Sequence, residues 1–159
     1  MDEQTAKAAF IRCVEAATGF EATRAWEEAG RSWVEAARVA VECERFFATL
    51  NAVLEVLDRR FPADELDDLD PDAVRAVAEA AAWAHSEWVR IHPFANGNGR
   101  TSRLIGNSIL VRFGLPPVFR LRPRPKGSYP VAAAAAMAGD HGAMAGYVVN
   151  QLLGWGRAR

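Results

Sequence analysis

An all-α fold is what this sequence predicts, and three observations carry that reading. Alanine is abundant, runs of β-branched residues are short, and no alternation of apolar and polar residues lasts beyond a few positions. Half of the 159 residues are hydrophobic and 25% are charged, enough apolar material for one soluble domain with its own core. The expectation is a single domain over residues 1–159, a compact bundle of six to eight helices without internal repeats.

The elements follow in order. A first helix is expected from Glu3 to Ala17, with Phe10, Ile11 and Val14 inward and Gly19 ending it. A short helical turn over Thr23–Ala29 is expected to stop at Gly30. Ser32, with Glu35 three residues on, then has the pattern of a capping box for a long helix. Its apolar row is Trp33, Ala37, Val41, Phe47, Leu50, Leu54 and Leu57. The acid-rich stretch "RRFPADELDDLDP" breaks the pattern. Asp70 followed by Pro71 reads as an N-cap and a first helical residue. The next helix sets Val74, Val77, Ala81, Ala84, Trp88 and Ile91 on one face, and His92-Pro93 ends it. After a short loop, "GRTSRLIGNSILVRFG" is helical again and stops at Gly114. Its apolar residues surround most of its circumference, which predicts a central, buried helix. A basic, proline-broken connector leads to two last helices, near 129–138 and 140–155, with Asp140 capping the second.

The formal charge is −1, so no global field attracts nucleic acid or an acidic membrane. The N-terminus lacks a basic segment followed by an apolar one, and no apolar run reaches 18 residues. These features predict a cytoplasmic protein with no membrane partner. Cys13 and Cys43 lack metal-ligand spacing and read as reduced thiols.

The chemistry concentrates in "IHPFANGNGRTSR", residues 91–103. Arg100, Arg103 and Asn107 fall at i, i+3 and i+7 on one stripe of an otherwise apolar helix. Guanidinium groups on such a helix must be paired with acids elsewhere or point into a cleft. Gly97 and Gly99 stand where the first helical turn exposes unpaired N–H groups, and a helix N-terminus of that kind favours anions. The amides of residues 97–100 would hold inner phosphates while Arg100 and Arg103 reach the outer ones in two-point fashion. His92, at the entrance to the loop, is placed to take a proton from an attacking hydroxyl; its alternative is to cap the preceding helix. His85 and His141 read as structural, and Phe94 as a core anchor for the loop.

"HPFANGNGRTSR" resembles the signature of the Fic family, H-x-F-x-(D/E)-G-N-G-R-x-x-R, at every defined position except the acid. The resemblance extends over roughly residues 33–155 and includes a tryptophan-bearing helix before the motif and "RLIGNSIL" after it. It implies transfer of AMP from ATP to a hydroxyl of a protein side chain. It further implies His92 as base, Gly97, Asn98 and Gly99 as the phosphate-binding turn, and Arg100 and Arg103 on the β- and γ-phosphates. Other family members move other nucleotides, phosphocholine or phosphate.

Three departures qualify what the resemblance implies. Asn96 stands at the metal-binding acid, and an amide is a poor substitute for a carboxylate toward Mg²⁺. The flap hairpin expected before the motif helix is reduced or absent. In its place is an acidic loop, which reads first as a solvated loop ending in the helix-capping Asp70 and otherwise would suit a small or cationic acceptor. The inhibitory pattern S/T-x-x-x-E-G/N is met only partly, by Thr23 and Glu27 in "TRAWEE", so inhibition is left to a separate protein or to none. A catalytically weakened nucleotide-binding regulator is the competing expectation. In the connector, Arg120, Arg122, Arg124 and Lys126 form a basic strip that could line the outer phosphates or offset the acidic loop. Tyr129 could stack on a base or fill the core.

Overall fold

A computed structural model describes residues 22–62, 70–137 and 139–156, with the side chains of residues 38–62, 70–136 and 139–155. The chain divides into two compact units, Met1–Ala40 and Val41–Arg159, and the arrangement below concerns the second. The described residues form five helices and no strand: α1 (Ala22–Arg60), α2 (Pro71–Ile91), α3 (Asn98–Arg112), α4 (Tyr129–Met137) and α5 (Gly142–Gly156). The expected helix over Glu3–Ala17 and most of the acidic loop that replaces a flap lie outside the described residues, as do the side chains of Thr23 and Glu27.

Gly30 does not interrupt α1, and Ser32 lies inside that helix instead of starting a new one. A glycine in a helix interior costs about 1 kcal/mol, less than ending a long helix there would cost. The buried row of α1 also differs from the expected one. Phe46, Leu50 and Leu57 are buried, whereas Val41 and Phe47 are about half exposed. Phe46 stacks on Trp83 with ring centroids 5.6 Å apart and meets Trp88 at 5.2 Å, so aromatic rings join α1 to α2. Arg90 reinforces the joint by bonding Glu42 of α1 and Glu87 of its own helix.

The centre of the fold is α2, not the motif helix. Asp70 accepts from the Asp72 N–H and Pro71 opens the helix, as the dipeptide predicts. Alanines at 73, 78, 80, 81, 82 and 84 are buried, and α3, α4 and α5 all pack on this helix. Small side chains let several neighbours approach one axis, which larger residues would prevent. By contrast α3 leaves one side open: Leu104 is 56% exposed and Val111 55%. Composition alone could not separate a buried helix from one with an apolar exposed face. Against α2 the contact is close. A Cβ on Gly106 would lie 2.6 Å from the Phe119 ring and 3.4 Å from the Ala81 carbonyl.

Asn107 holds the connector to α3. Its amide nitrogen donates to the Phe119 carbonyl at 2.8 Å and its oxygen accepts from the Phe119 N–H at 2.9 Å. One side chain thus satisfies both backbone polar groups of a buried residue. At α5, the Asp140 carboxylate accepts from the Gly142 N–H at 2.9 Å, in line with its expected capping role.

Candidate active site

The loop between α2 and α3 is built by local bonds. His92 closes α2 in the left-handed region, φ 53 and ψ 51, and its N–H donates to the Trp88 carbonyl. The residue before proline is normally pushed to extended geometry, so this conformation is unusual, although histidine tolerates it better than most residues. The ring is exposed, and Nδ1 lies 3.1 Å from the Val89 carbonyl oxygen. A carbonyl can only accept, so Nδ1 carries the proton. In the neutral ring Nε2 then keeps its lone pair and can act as a base.

Asn98 fixes the rest of the loop. Its amide oxygen accepts from the Phe94 N–H at 2.9 Å and its amide nitrogen donates to the Phe94 carbonyl. Asn98 is buried, and its side chain is engaged in shaping the turn. Gly97 precedes α3 at φ 98, a conformation suited to glycine, and no side chain caps the helix. The Arg100 N–H turns back to the Gly97 carbonyl at 2.9 Å, so it is not among the free amides that the pattern predicts. Among the described residues no acceptor meets the N–H groups of Gly97, Asn98 and Gly99. Three uncapped amides at the positive end of a helix favour an anion.

Each glycine of the turn faces one guanidinium. A Cβ at Gly97 would lie 3.5 Å from Arg100 Nη2, and one at Gly99 would lie 3.4 Å from Arg103 Nη1. Arg103 is 4% exposed. Its Nη1 donates to the Tyr129 hydroxyl at 3.2 Å, its Nη2 to the Leu121 carbonyl at 3.1 Å, and its Nε has no partner. No carboxylate among the described residues pairs with Arg100 or Arg103. A buried cation held only by neutral acceptors leaves positive charge available to an incoming anion.

Tyr129 is 1% exposed, so its ring does not stack on a ligand. The phenol oxygen accepts from Arg103 and meets His85 Nε2 at 3.0 Å. His85 in turn stacks on Phe119 at 4.9 Å. Burial first, and the nearby Arg103 charge second, push the His85 pKa down to about 3, so this imidazole is neutral near pH 7. The buried pair of Tyr129 and His85 supports Arg103; sequence spacing contained no sign of it. Asn107 likewise binds backbone and not a ligand.

A cavity of 770 Å³ opens beside the turn, lined by Phe94, Asn96, Gly97, Arg100, Thr101, Leu104, Leu121 and Arg122. His92, Asn98, Gly99 and Arg103 are not on its wall, so the expected stripe divides. Arg100 faces the cavity, while Arg103 and Asn107 turn toward the connector. Phe94 is 47% exposed and lines the cavity with an edge against Trp88, which corrects its expected place in the core. The connector divides too. Arg122 lines this cavity, whereas Arg120, Arg124 and Lys126 border a second one of 520 Å³.

Asn96 is exposed on the cavity wall, and no carboxylate accompanies it there. Among the described residues no cluster of three histidine, cysteine, aspartate or glutamate side chains could hold a metal. One neutral amide oxygen does not make a Mg²⁺ site, which takes carboxylate and phosphate oxygens. The residues present do not fit that ion. No helix among the described residues is long and apolar enough to cross a membrane.

Residues 35–110 match the Fic/DOC family. Three relatives illustrate the likeness. A Protein adenylyltransferase Fic of Nematostella vectensis is 51% identical over 55 residues, 35% of this chain and 13% of that protein. One of Drosophila persimilis is 63% identical over 38 residues, 24% and 8% of the two chains. Protein adenylyltransferase fic-1 of Caenorhabditis briggsae is 48% identical over 58 residues, 35% and 11%. The matched stretches thus span only a small part of these relatives. No solved structure matches the chain significantly. The family match stops at residue 110, before Leu121 and Tyr129, the two groups that hold Arg103.

Proposed function

We propose that this chain transfers AMP from ATP to a hydroxyl-bearing acceptor, a protein side chain or a small molecule. The observation that carries the reading is the single bond from His92 Nδ1 to the Val89 carbonyl. It leaves Nε2 as the basic nitrogen at the mouth of an uncapped glycine turn. Phosphate oxygens would meet the N–H groups of Gly97, Asn98 and Gly99, with Arg100 and Arg103 balancing the outer charge. The acceptor oxygen forms a bond to the α-phosphorus as its proton passes to His92 Nε2. The bond from that phosphorus to the bridging oxygen breaks, and pyrophosphate leaves with the electron pair. The reading sets the reaction in the cytoplasm and leaves any inhibition to a separate protein.

Parallel incubations with α-labelled and γ-labelled ATP test it. Retention of the α-label on an acceptor supports AMP transfer. Retention of the γ-label alone would make the chain a kinase. Labelling from another nucleotide or a phosphocholine donor, with none from ATP, would keep the transferase and change its donor. Asn96 favours a second reading, a nucleotide-binding regulator of weakened activity. Nucleotide uptake without any labelled acceptor, reversed by Asn96→Asp, is its expected signature.

A further inference from the structure

We propose that Arg122 supplies, as a third guanidinium, the positive charge that a divalent cation would otherwise bring to the bound triphosphate. The inference rests on the nucleotide reading above and names how that site neutralises its ligand. Arg122 and Asn96 line the same cavity, together with Arg100. A carboxylate at position 96 would put an anion on the wall that Arg122 shares. The amide there removes both the metal ligand and the competitor for the guanidinium. No carboxylate among the described residues pairs with Arg122.

The backbone leading into Arg122 is tied down at two residues. The carbonyl of its neighbour Leu121 accepts from Arg103 Nη2 at 3.1 Å, and Phe119 is clamped by Asn107. Arg122 is therefore tied through one peptide unit to the bond that holds Arg103. A planar guanidinium can bind two phosphate oxygens at once, as a Mg²⁺ ion does, and it carries its charge without a carboxylate ligand. Leu104, Leu121 and Phe94 give the same cavity an apolar lining, so it suits an anion with an apolar portion, such as a nucleotide.

Calorimetric titration of ATP into the full chain, with excess EDTA and then with Mg²⁺, tests the inference. Affinity in the two buffers is expected to agree within about twofold. Arg122→Ala is expected to weaken uptake in EDTA by about tenfold or more, the usual scale for a charge-assisted contact. Arg120→Ala, on the neighbouring cavity, is expected to leave it unchanged. Asn96→Asp combined with Arg122→Ala should make uptake depend on Mg²⁺. Uptake by the native chain only with Mg²⁺, or an Arg122→Ala affinity within twofold of the parent, overturns this inference alone. No uptake in either buffer removes the nucleotide reading and this inference with it.

Discussion

The Cβ position of Gly99 points at Nη1 of Arg103 from 3.4 Å, with no other residue between them. Arg103 is buried, lacks a carboxylate partner among the described residues, and belongs to the helix that Gly97 opens without a side-chain cap. Gly99 has no positive φ, so alanine is compatible with its backbone. In Gly99→Ala the new methyl would sit against the guanidinium of Arg103. The melting temperature should stay level or rise by about 2–4 °C, from helix propensity. Calorimetry should show triphosphate affinity falling at least about tenfold. Unchanged affinity would separate Arg103 from the ligand.

Gly106→Ala should do the reverse. Its Cβ would meet the Phe119 ring at 2.6 Å, so either α3 or the connector must move. Overpacking of this kind costs about 1–3 kcal/mol. Chemical denaturation should register that loss. A variant as stable as the parent would mean that Phe119 can shift freely.

For the proposed base, asparagine is the informative replacement. The left-handed geometry at position 92 suits asparagine, whereas alanine would bear strain of about 1–2 kcal/mol. His92→Asn should melt within a few degrees of the parent and bind nucleotide with little change, but transfer no label. Residual transfer near the parental rate would remove His92 as proton acceptor.

Tyr129→Phe deletes the oxygen shared by Arg103 and His85. A buried guanidinium donor would lose its acceptor, at a cost of about 1–3 kcal/mol. Arg103 would also lose one of its two anchors, so weakened affinity for ATP should accompany the lost stability. A stability loss with unaltered affinity would confine Tyr129 to the core.

His85 makes stability depend on acidity. Its folded pKa is about 3 against 6.5 for the free side chain, so the unfolded chain binds the proton more readily. The contribution is fully present above pH about 6.5 and is lost as pH falls toward 3. Its size is on the order of 5 kcal/mol at most. Denaturation midpoints measured across that range should fall with pH, and less steeply in His85→Gln. Equal slopes in both proteins would place the titration elsewhere.

Local signals in the sequence found what local physics determines. Asp70 and Pro71 mark the start of α2, His92 and Pro93 its end, and the glycine turn the start of α3. Gly30 misled because a glycine in a long helix is tolerated once neighbouring turns are stable. Phe94 and Leu104 misled because apolar character does not distinguish a core contact from the wall of a cavity. Asn98 and Asn107 carry amides that suit either a ligand or a backbone, and only the folded chain shows that each one clamps the N–H and carbonyl of a single phenylalanine. Tyr129 and Leu121 support Arg103 from 26 and 18 residues away, a separation that no helical or strand period can reveal.

That separation bears on how such chemistry could be engineered or inherited. Grafting the thirteen residues of the loop and first helical turn onto a foreign scaffold would carry the glycines and arginines but leave behind the phenol and the carbonyl. The guanidinium of Arg103 would then arrive without its mount. The smallest transplantable unit runs from the helix bearing His85 through Tyr129, and recombination breakpoints within it should yield folded but idle chimeras.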